Sequence, residues 1–238
     1  MDPNGKRAIV LGGTSGIGLA AASQLKEAGA SVIAMGRSAD NAATARQALG
    51  DGVEVRQLDV LDRDAMAATF KELAPFDILV NAATGGARAR GPFLEMDLDG
   101  YQGSFAKLWG YANSVRLGTE HLAEDGCIVL VSGFPARKAL PGYAAISSVG
   151  GAVEAFCRAI APELAPRRIN LVSPGTIDTP MFAARGKERQ QLLQQSTAGN
   201  VIKRAGTADE VAQGILFVIR NDFVTGTTVD VDGGALLP

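Results

Sequence analysis

Short apolar runs alternate with longer amphipathic stretches along the whole 238-residue chain. The apolar runs have the length of strands, and the stretches between them have helical length and periodicity. This alternation is typical of a parallel sheet that is covered by helices on both faces. We predict strands at 8–11, 31–36, 53–58, 76–81, 127–132, 168–173 and 228–232, and helices at 16–28, 40–49, 62–74, 100–122, 144–165 and 207–220.

The predicted fold is a single α/β domain over 1–238, a doubly wound parallel sheet of the Rossmann type with about seven strands. Right-handed crossovers between the parallel strands place the helices in two outer layers. Ligands of such sheets bind beyond the carboxyl ends of the strands. The residues that follow each strand are therefore the first candidates for chemistry.

A glycine-rich turn follows the first predicted strand, and a helix begins directly after it. Such a turn presents free backbone N–H groups and the positive end of the helix dipole to an anion. Glycines there let a pyrophosphate approach the backbone closely. The turn predicts a dinucleotide-phosphate site made of Gly12, Thr14, Ser15, Gly16, Ile17 and Gly18.

Composition and charge limit the possible partners. With 47% hydrophobic and 20% charged residues the chain is expected to fold, and its net charge of −2 provides no general attraction to nucleic acid or anionic membranes. Two cysteines and a single histidine indicate neither a disulfide framework nor a metal site. Without a targeting leader or an apolar run of membrane-spanning length, we expect a cytoplasmic protein that binds a small-molecule substrate.

The second and third strands end in residues that bear on the choice of cofactor. An acid after the second strand would hold the ribose 2′-hydroxyl of NAD, whereas Arg37-Ser38 stands here and suits a 2′-phosphate. We therefore predict NADP(H), although Arg37 could equally be a solvated surface charge. Asp59, followed by Val60, ends the third strand. It either accepts a hydrogen bond from the adenine amino group or caps the next helix.

Several motifs in order resemble those of the short-chain dehydrogenase/reductase family over the whole chain. The spacing Gly12-x3-Gly16-x-Gly18 resembles its glycine motif, and 81–84 is similar to its Asn-Asn-Ala-Gly segment. The stretch 173–180 resembles the loop that closes over the nicotinamide, and 225–234 its carboxyl-terminal signature. The resemblance implies oxidation or reduction of a carbonyl/alcohol pair. It also assigns to the cofactor site Val60, Asn81, Ala82, Ala83, Pro174, Gly175, Ile177 and Thr179.

The resemblance fails at the catalytic tetrad. The family polarises the carbonyl oxygen with a serine, protonates it with a tyrosine, and lowers the pKa of that tyrosine with a lysine one helical turn later. An asparagine holds a water of the proton relay. A gap-free match over 141–164 places Ile146 at the tyrosine and Gly150 at the lysine. Gly133 falls at the serine and Lys107 at the asparagine.

Tyr143 is the acid only if the register shifts by three residues. Ser147 rather than a lysine would then follow it, and the rest of the helix would be misaligned. We keep Tyr143 and Ser132 as candidates for substrate contact.

Lys107 and Tyr111 are the remaining candidates for a rebuilt catalytic group. They lie four residues apart on one predicted helix face, and a desolvated lysine can act as an acid near neutral pH. Gly150 and Gly151 are expected to leave room for the lysine. Alternatively, Lys107 is solvated and Tyr111 belongs to the core or to an interface.

Three functions fit these observations. The first is an NADP(H)-dependent reductase with a rebuilt site, which we favour because the cofactor motifs are largely intact. The second is a cofactor-binding sensor or pseudoenzyme subunit without hydride chemistry. The third is a non-redox enzyme on the same fold, since fold does not determine function.

Two further segments are expected to shape the substrate site. The stretch 180–201 is predicted to form a lid between Gly175 and Gly199 as hinges, or else a charged helix that faces solvent. The loop 84–91 carries Arg88 and Arg90, which meet either an anionic substrate or solvent.

We also expect a homodimer or homotetramer. The helices at 100–122 and 144–165 carry apolar residues on more than one face, and the resemblance implies that they pack across a two-fold axis. The residues in question are Leu108, Val115, Leu122, Val153, Phe156 and Ile160.

Overall fold

The computed structural model describes residues 1–237 and confirms the doubly wound α/β architecture. The strands are β1 Arg7–Leu11, β2 Ser31–Gly36, β3 Val53–Gln57, β4 Phe76–Asn81, β5 Leu122–Val131, β6 Arg168–Pro174, β7 Ile177–Asp178, β8 Gly206–Thr207 and β9 Thr228–Val231. The helices are α1 Gly16–Glu27, α2 Ala39–Leu49, α3 Arg63–Glu72, α4 Leu98–Gly103, α5 Ala106–Gly118, α6 Ala144–Leu164, α7 Gly186–Thr197 and α8 Ala208–Arg220. Short 3₁₀ segments occupy Phe93–Glu95, Thr119–His121 and Phe134–Ala136.

Within the described residues, the main sheet has seven parallel strands in the order β3-β2-β1-β4-β5-β6-β9. The strand order reverses between β1 and β4, which is the switch point where ligands bind in such sheets. Strands β7 and β8 form a separate two-stranded sheet. Both follow the carboxyl end of β6 along the chain, so the segment between them lies next to the expected ligand site.

Alternating side chains of the strands divide the core into two layers. In β1, Val10 packs into the layer beneath α1, α2 and α8, whereas Ile9 and Leu11 pack into the layer beneath α3, α5 and α6. Successive strand residues point to opposite faces, so a strand that is covered on both sides must be apolar throughout. This explains the uninterrupted apolar runs of the sequence.

The helix predicted at 100–122 is wrong in two places. It is interrupted after Gly103, and α5 begins only at Ala106. Gly100 and Gly103 weaken helical structure, and the Ser104 hydroxyl donates a hydrogen bond to the Gly100 carbonyl at 2.9 Å. The predicted carboxyl end of the helix is also too long, because Leu122 pairs with Phe76 as the first residue of β5.

The predicted lid contains α7, a charged helix that the prediction offered as an alternative. Arg189 anchors α7 to the stretch that precedes it. Its guanidinium donates hydrogen bonds to the Asp178 carboxylate, to the Thr179 carbonyl at 2.7 Å and to the Phe182 carbonyl at 2.6 Å. Leu193 is buried on the inner face of α7. The segment is therefore a helix that is anchored at its entry.

One helix of the described chain, α6, has the length and hydropathy of a membrane-crossing segment. Val149, Val153 and Cys157 on one face of it are buried in the core against the sheet. This is the packing of a core helix, so its length and hydropathy are weak evidence for a membrane span.

The apolar residues that suggested an oligomer are largely explained by the protomer itself. Val115, Leu122 and Val153 are buried in its own core. Leu108, Phe156 and Ile160 are partly buried at the edge of the same layer. These six side chains therefore do not require a partner subunit.

Candidate active site

A cleft of about 910 Å³ lies along the carboxyl ends of the parallel strands. It brings together residues that are far apart in the sequence, from the glycine-rich turn to the segment after β6. The predicted site residues that line it are Gly12, Thr14, Ser15, Gly16, Ile17, Gly18, Arg37, Ser38, Asp59, Val60, Ala82, Ala83, Lys107, Ser132, Tyr143, Pro174, Gly175, Ile177 and Thr179. Asn81 and Tyr111 lie outside the lining.

The glycine-rich turn packs directly against the segment that follows β4. Gly12 has φ +75°, and a Cβ atom there would lie 2.6 Å from the Ala83 nitrogen. A Cβ atom on Gly18 would lie 2.1 Å from the Gly12 carbonyl oxygen. Ser15 makes no side-chain capping bond at the start of α1. Close packing thus requires glycine at residues 12 and 18. The backbone N–H groups at the amino end of α1, beside the cleft, have no side-chain cap.

Arg37 and Asp59 lie together near the ends of β2 and β3. The Arg37 Nη1 atom is 3.9 Å from the Asp59 Oδ2 atom and donates a hydrogen bond to the Gly85 carbonyl at 3.2 Å. The capping alternative for Asp59 is wrong, because Asp62 accepts the bond from the Ala65 nitrogen that caps α3. The other carboxylate oxygen of Asp59 accepts a hydrogen bond from the Leu61 nitrogen at 3.0 Å.

Ser38 and Asn81 have structural partners of their own. The Ser38 hydroxyl accepts a hydrogen bond from the Asn41 nitrogen and caps α2. Asn81 is fully buried, donating to the Ser114 hydroxyl at 2.9 Å and accepting from the Ala83 nitrogen at 3.0 Å. The Asn81 side chain therefore holds the backbone that lines the cleft, and the assignment of this segment to the cofactor site stays a prediction.

The positions aligned with the family tetrad all face the same cleft, since Gly133, Ile146, Gly150 and Lys107 line it. The space beside Gly150 is not open, however. A Cβ atom there would lie 2.8 Å from the Cβ atom of Ala136, in the 3₁₀ segment that packs on α6. The expectation that Gly150 makes room for the lysine is wrong, because Ala136 fills that space.

Lys107 is the strongest acid-base candidate in the cleft. Its ammonium donates a hydrogen bond to the Ser132 carbonyl at 3.4 Å and lies 5.4 Å from the centroid of the Tyr111 ring. Burial and the neighbouring positive charge of Arg88 lower the pKa of Lys107 to about 7. An amine of this pKa can both donate and accept a proton near neutral pH.

Tyr111 belongs to the core and not to the cleft. Its side chain is 1% exposed, and its hydroxyl donates a 2.6 Å hydrogen bond to the Val131 carbonyl. Burial raises the pKa of the phenol. The assignment of Tyr111 to the catalytic group is therefore corrected: its hydroxyl proton is committed to the backbone of β5.

Ser132 and Tyr143 both reach the cleft. The Ser132 hydroxyl is buried and has no hydrogen-bond partner within the described residues. A buried polar group without a partner is costly, so Ser132 stays a candidate for substrate contact. Tyr143 precedes α6, and the guanidinium carbon of Arg90 lies 4.9 Å from the centroid of its ring.

Some cleft residues were missing from the sequence-based set. Asn41, Phe134, Pro135 and Leu140 also line the cleft. The first lies at the start of α2, and the others follow β5, so a systematic inspection of strand ends would have found them. In residues 1–237 no group of three His, Cys, Asp or Glu side chains is placed to hold a metal ion.

Comparisons with known proteins agree with the geometry. A family model named enoyl-(acyl carrier protein) reductase matches residues 12–235. L-xylulose reductase of Bos taurus is 32% identical, with 98% of this chain and 97% of the relative covered.

Two solved structures are similar over nearly the whole chain. A small-chain dehydrogenase in complex with NADPH is 29% identical with a TM-score of 0.82, covering 98% of this chain and 99% of that one. A short-chain oxidoreductase of Pseudomonas aeruginosa PAO1, named for its atypical catalytic center, is 29% identical with a TM-score of 0.88, covering 99% and 98%. The family match, the fold and the glycine-rich cleft agree: this chain belongs to the short-chain dehydrogenase/reductase family, whose oxidoreductases act on carbonyl/alcohol pairs.

Proposed function

We propose that the protein is an NADP(H)-dependent carbonyl reductase in which Lys107 replaces the tyrosine of the family as the proton donor. One observation carries this proposal. The Lys107 side chain lines the same cleft as positions 146 and 150, where an isoleucine and a glycine have no proton to donate.

The protein backbone that lines the cleft suits a dinucleotide. The close packing of Gly12 and Gly18 leaves a surface free of side chains next to the amino end of α1, which suits a pyrophosphate. Arg37 and Ser38 would hold the 2′-phosphate of NADP(H), and Asp59 the adenine end. The solved relative with NADPH supports the choice of this cofactor. When bound, the nicotinamide supplies hydride to the carbonyl carbon or accepts it.

The chain itself must supply a proton. Reduction leaves negative charge on the former carbonyl oxygen, and that charge needs a donor within hydrogen-bond reach. The proton passes from the Lys107 Nζ atom to this oxygen, and solvent then reprotonates the amine. The unpartnered Ser132 hydroxyl is a second donor to the same oxygen. In the reverse direction, neutral Lys107 accepts the proton of the alcohol.

Replacement of Lys107 tests the proposal. Lys107→Met keeps the length of the side chain and removes the proton, so kcat for NADPH oxidation with a panel of ketones should fall about 10²–10⁴-fold. NADPH affinity, measured by fluorescence titration, should change little. Lys71→Met, on the exposed surface of α3, is the matched control. Normal turnover in Lys107→Met would exclude this lysine as the donor.

A second function is favoured by the residues at 146 and 150 alone. A chain that lacks the tyrosine and lysine of its family can serve as an NADP(H)-binding sensor or pseudoenzyme subunit, or can host non-redox chemistry. NADPH binding without turnover of any carbonyl compound, in both directions, would favour this function over the reductase.

A further inference from the structure

The charged side chains of the cleft are unevenly distributed. Among the residues that the structure describes, five charged side chains line it: Arg37, Asp59, Arg88, Arg90 and Lys107. The only acid among them, Asp59, lies near Arg37. The other three are cations, and Lys107 marks the part of the cleft where the proton is to be transferred. Within residues 1–237, this part of the lining therefore carries positive charge without a carboxylate.

Arg88 is half-buried in the cleft. Its Nη2 atom contacts the Met181 sulfur, which is a weak acceptor. No Asp or Glu within residues 1–237 forms an ion pair with Arg88, Arg90 or Lys107. Burial and the charge of Arg90 lower the pKa of Arg88. A partly desolvated guanidinium of this kind gains most from an anion that arrives with a ligand.

Arg90 lies at the same end of the cleft. Its guanidinium carbon is 4.9 Å from the centroid of the Tyr143 ring, a distance at which a cation is attracted to the face of an aromatic ring. Arg90 is exposed and Arg88 is half-buried. The two guanidinium groups therefore lie at different depths on the substrate side of the cleft.

The loop that carries both arginines is anchored to the fold. Gly85 has φ +77°, and a Cβ atom there would lie 2.7 Å from the backbone of Ala106. The Ala89 nitrogen donates to the Ser104 hydroxyl at 2.9 Å, and the Gly91 nitrogen donates to the Gly142 carbonyl at 3.0 Å. The break between α4 and α5 thus holds the loop through Ser104. The cations are placed by the framework and are not on a free surface loop.

We propose that the substrate carries an anionic group close to its carbonyl, a carboxylate or a phosphate ester, which Arg88 and Arg90 bind while Lys107 serves the carbonyl oxygen. This inference rests on the proposed reductase function and names its substrate class. Guanidinium groups bind carboxylates and phosphates through two parallel hydrogen bonds, which also orients the substrate. The anion supplies the counter-charge that the cleft lining does not provide at this end.

Paired substrates test the inference. We would compare acetoacetate with methyl acetoacetate, and dihydroxyacetone phosphate with dihydroxyacetone, in NADPH oxidation. The anionic member of at least one pair should have a kcat/KM about 10- to 100-fold higher, since hydrogen bonds to charged groups contribute this much. The pair with the larger ratio distinguishes a carboxylate from a phosphate ester.

The role of Arg88 in binding the anionic group is tested in the same assay. Arg88→Gln should lower the anionic-to-neutral ratio about 10- to 100-fold, mainly through KM. Arg116→Gln, on the exposed face of α5, is the matched control and should leave the ratio unchanged. An unchanged ratio in Arg88→Gln, or a loss of NADPH affinity without a change of the ratio, would overturn the inference.

The design separates this inference from the proposed function. Equal reduction of the neutral and anionic members would overturn the anionic substrate and leave the reductase intact. If no carbonyl compound is reduced, calorimetric titration of 3-hydroxybutyrate and of glycerol 3-phosphate into the NADP⁺ complex still tests the cation site. Binding that Arg88→Gln abolishes would support it, and absence of binding of both probes would overturn it.

Discussion

At the scale of single residues, the candidate site depends on an ammonium group whose surroundings make it a stronger acid than ordinary lysine. Lys107 has the Ser132 carbonyl as its hydrogen-bond acceptor, while Arg88 adds positive charge nearby. Both burial and like charge favour the neutral amine, so its pKa falls to about 7. The Ile146 position can then lack a proton donor without loss of the reaction, provided that Lys107 reaches the same oxygen.

The pH dependence of reduction should report this acid. The donor must be protonated, so kcat/KM for a neutral ketone should fall as the pH rises through about 7. Arg88→Gln removes the neighbouring charge, which raises the pKa of Lys107 and moves this decline to higher pH. Initial rates with NADPH across the neutral range measure both profiles. A flat profile in the wild-type protein would contradict the assignment of Lys107.

Arg37 should determine the choice between the two nicotinamide cofactors. Its guanidinium lies at the mouth of the cleft beside Asp59, where a charge-assisted bond to a 2′-phosphate would be lost in Arg37→Ala. We expect NADPH affinity to fall by about 1.5–3 kcal/mol and NADH affinity to change little. Titration with each cofactor measures this difference. Equal or tighter binding of NADH by the wild-type protein would refute the prediction.

At the scale of elements, the contact between α6 and the 3₁₀ segment Phe134–Ala136 sets the shape of the site. Ala136 lies against Gly150, at the position where the family resemblance implies a lysine. A lysine could not begin at residue 150 without displacing backbone that leads out of β5. The packing of this segment against α6 therefore excludes a larger side chain at residue 150.

Two neighbouring glycines of α6 offer a matched test of this packing. Alanine is favoured over glycine in a helix interior by about 1 kcal/mol. Gly151→Ala should gain this amount, because nothing lies within 4 Å of its added Cβ atom. Gly150→Ala should instead be net destabilising, since overpacking against Ala136 costs about 1–3 kcal/mol. Urea unfolding measures both, and equal stabilisation by the two variants would show that Ala136 moves aside freely.

At the scale of the whole molecule, the described protomer already buries two apolar layers and yet leaves large apolar side chains exposed. Leu98 on α4 is 69% exposed and Trp109 on α5 is 57% exposed. They lie on the stretch of chain for which the family resemblance implies packing across a two-fold axis. Leu98 and Trp109 are therefore further candidates for a surface that a partner subunit would cover.

We expect a homodimer or homotetramer in solution, and Trp109→Glu should weaken it because the carboxylate would be buried at the interface. Light scattering at micromolar concentration measures the mass of both proteins. Phe223→Glu, a fully exposed apolar position after α8, is a comparison that probes a different face. A monomeric wild-type protein would contradict the expectation.

The sequence by itself determined the alternation of strands and helices along the chain, the doubly wound fold class, the glycine-rich turn and the location of the cleft at the strand ends. These features depend on local signals: apolar runs such as Ile9–Leu11 must be buried on both faces, and Gly12 and Gly18 permit close backbone packing. It also aligned Ile146 and Gly150 with the tetrad, since both lie on one helix without insertions. The predicted carboxyl end of the helix at 100–122 was wrong because the helical apolar pattern continues to Leu122. In the structure, Leu122 belongs to the sheet, where it pairs with Phe76.

Only the tertiary structure decided which candidate side chains meet. Lys107 and Tyr111 share a helix face in the sequence, yet the packing of α5 on the sheet places the tyrosine in the core and the lysine at the cleft. The approach of Arg88 to Lys107, and of Ala136 to Gly150, joins segments from separate loops and helices. Desolvation, charge proximity and exclusion of a Cβ atom depend on atoms that are distant along the chain, so no local pattern of residues encodes them.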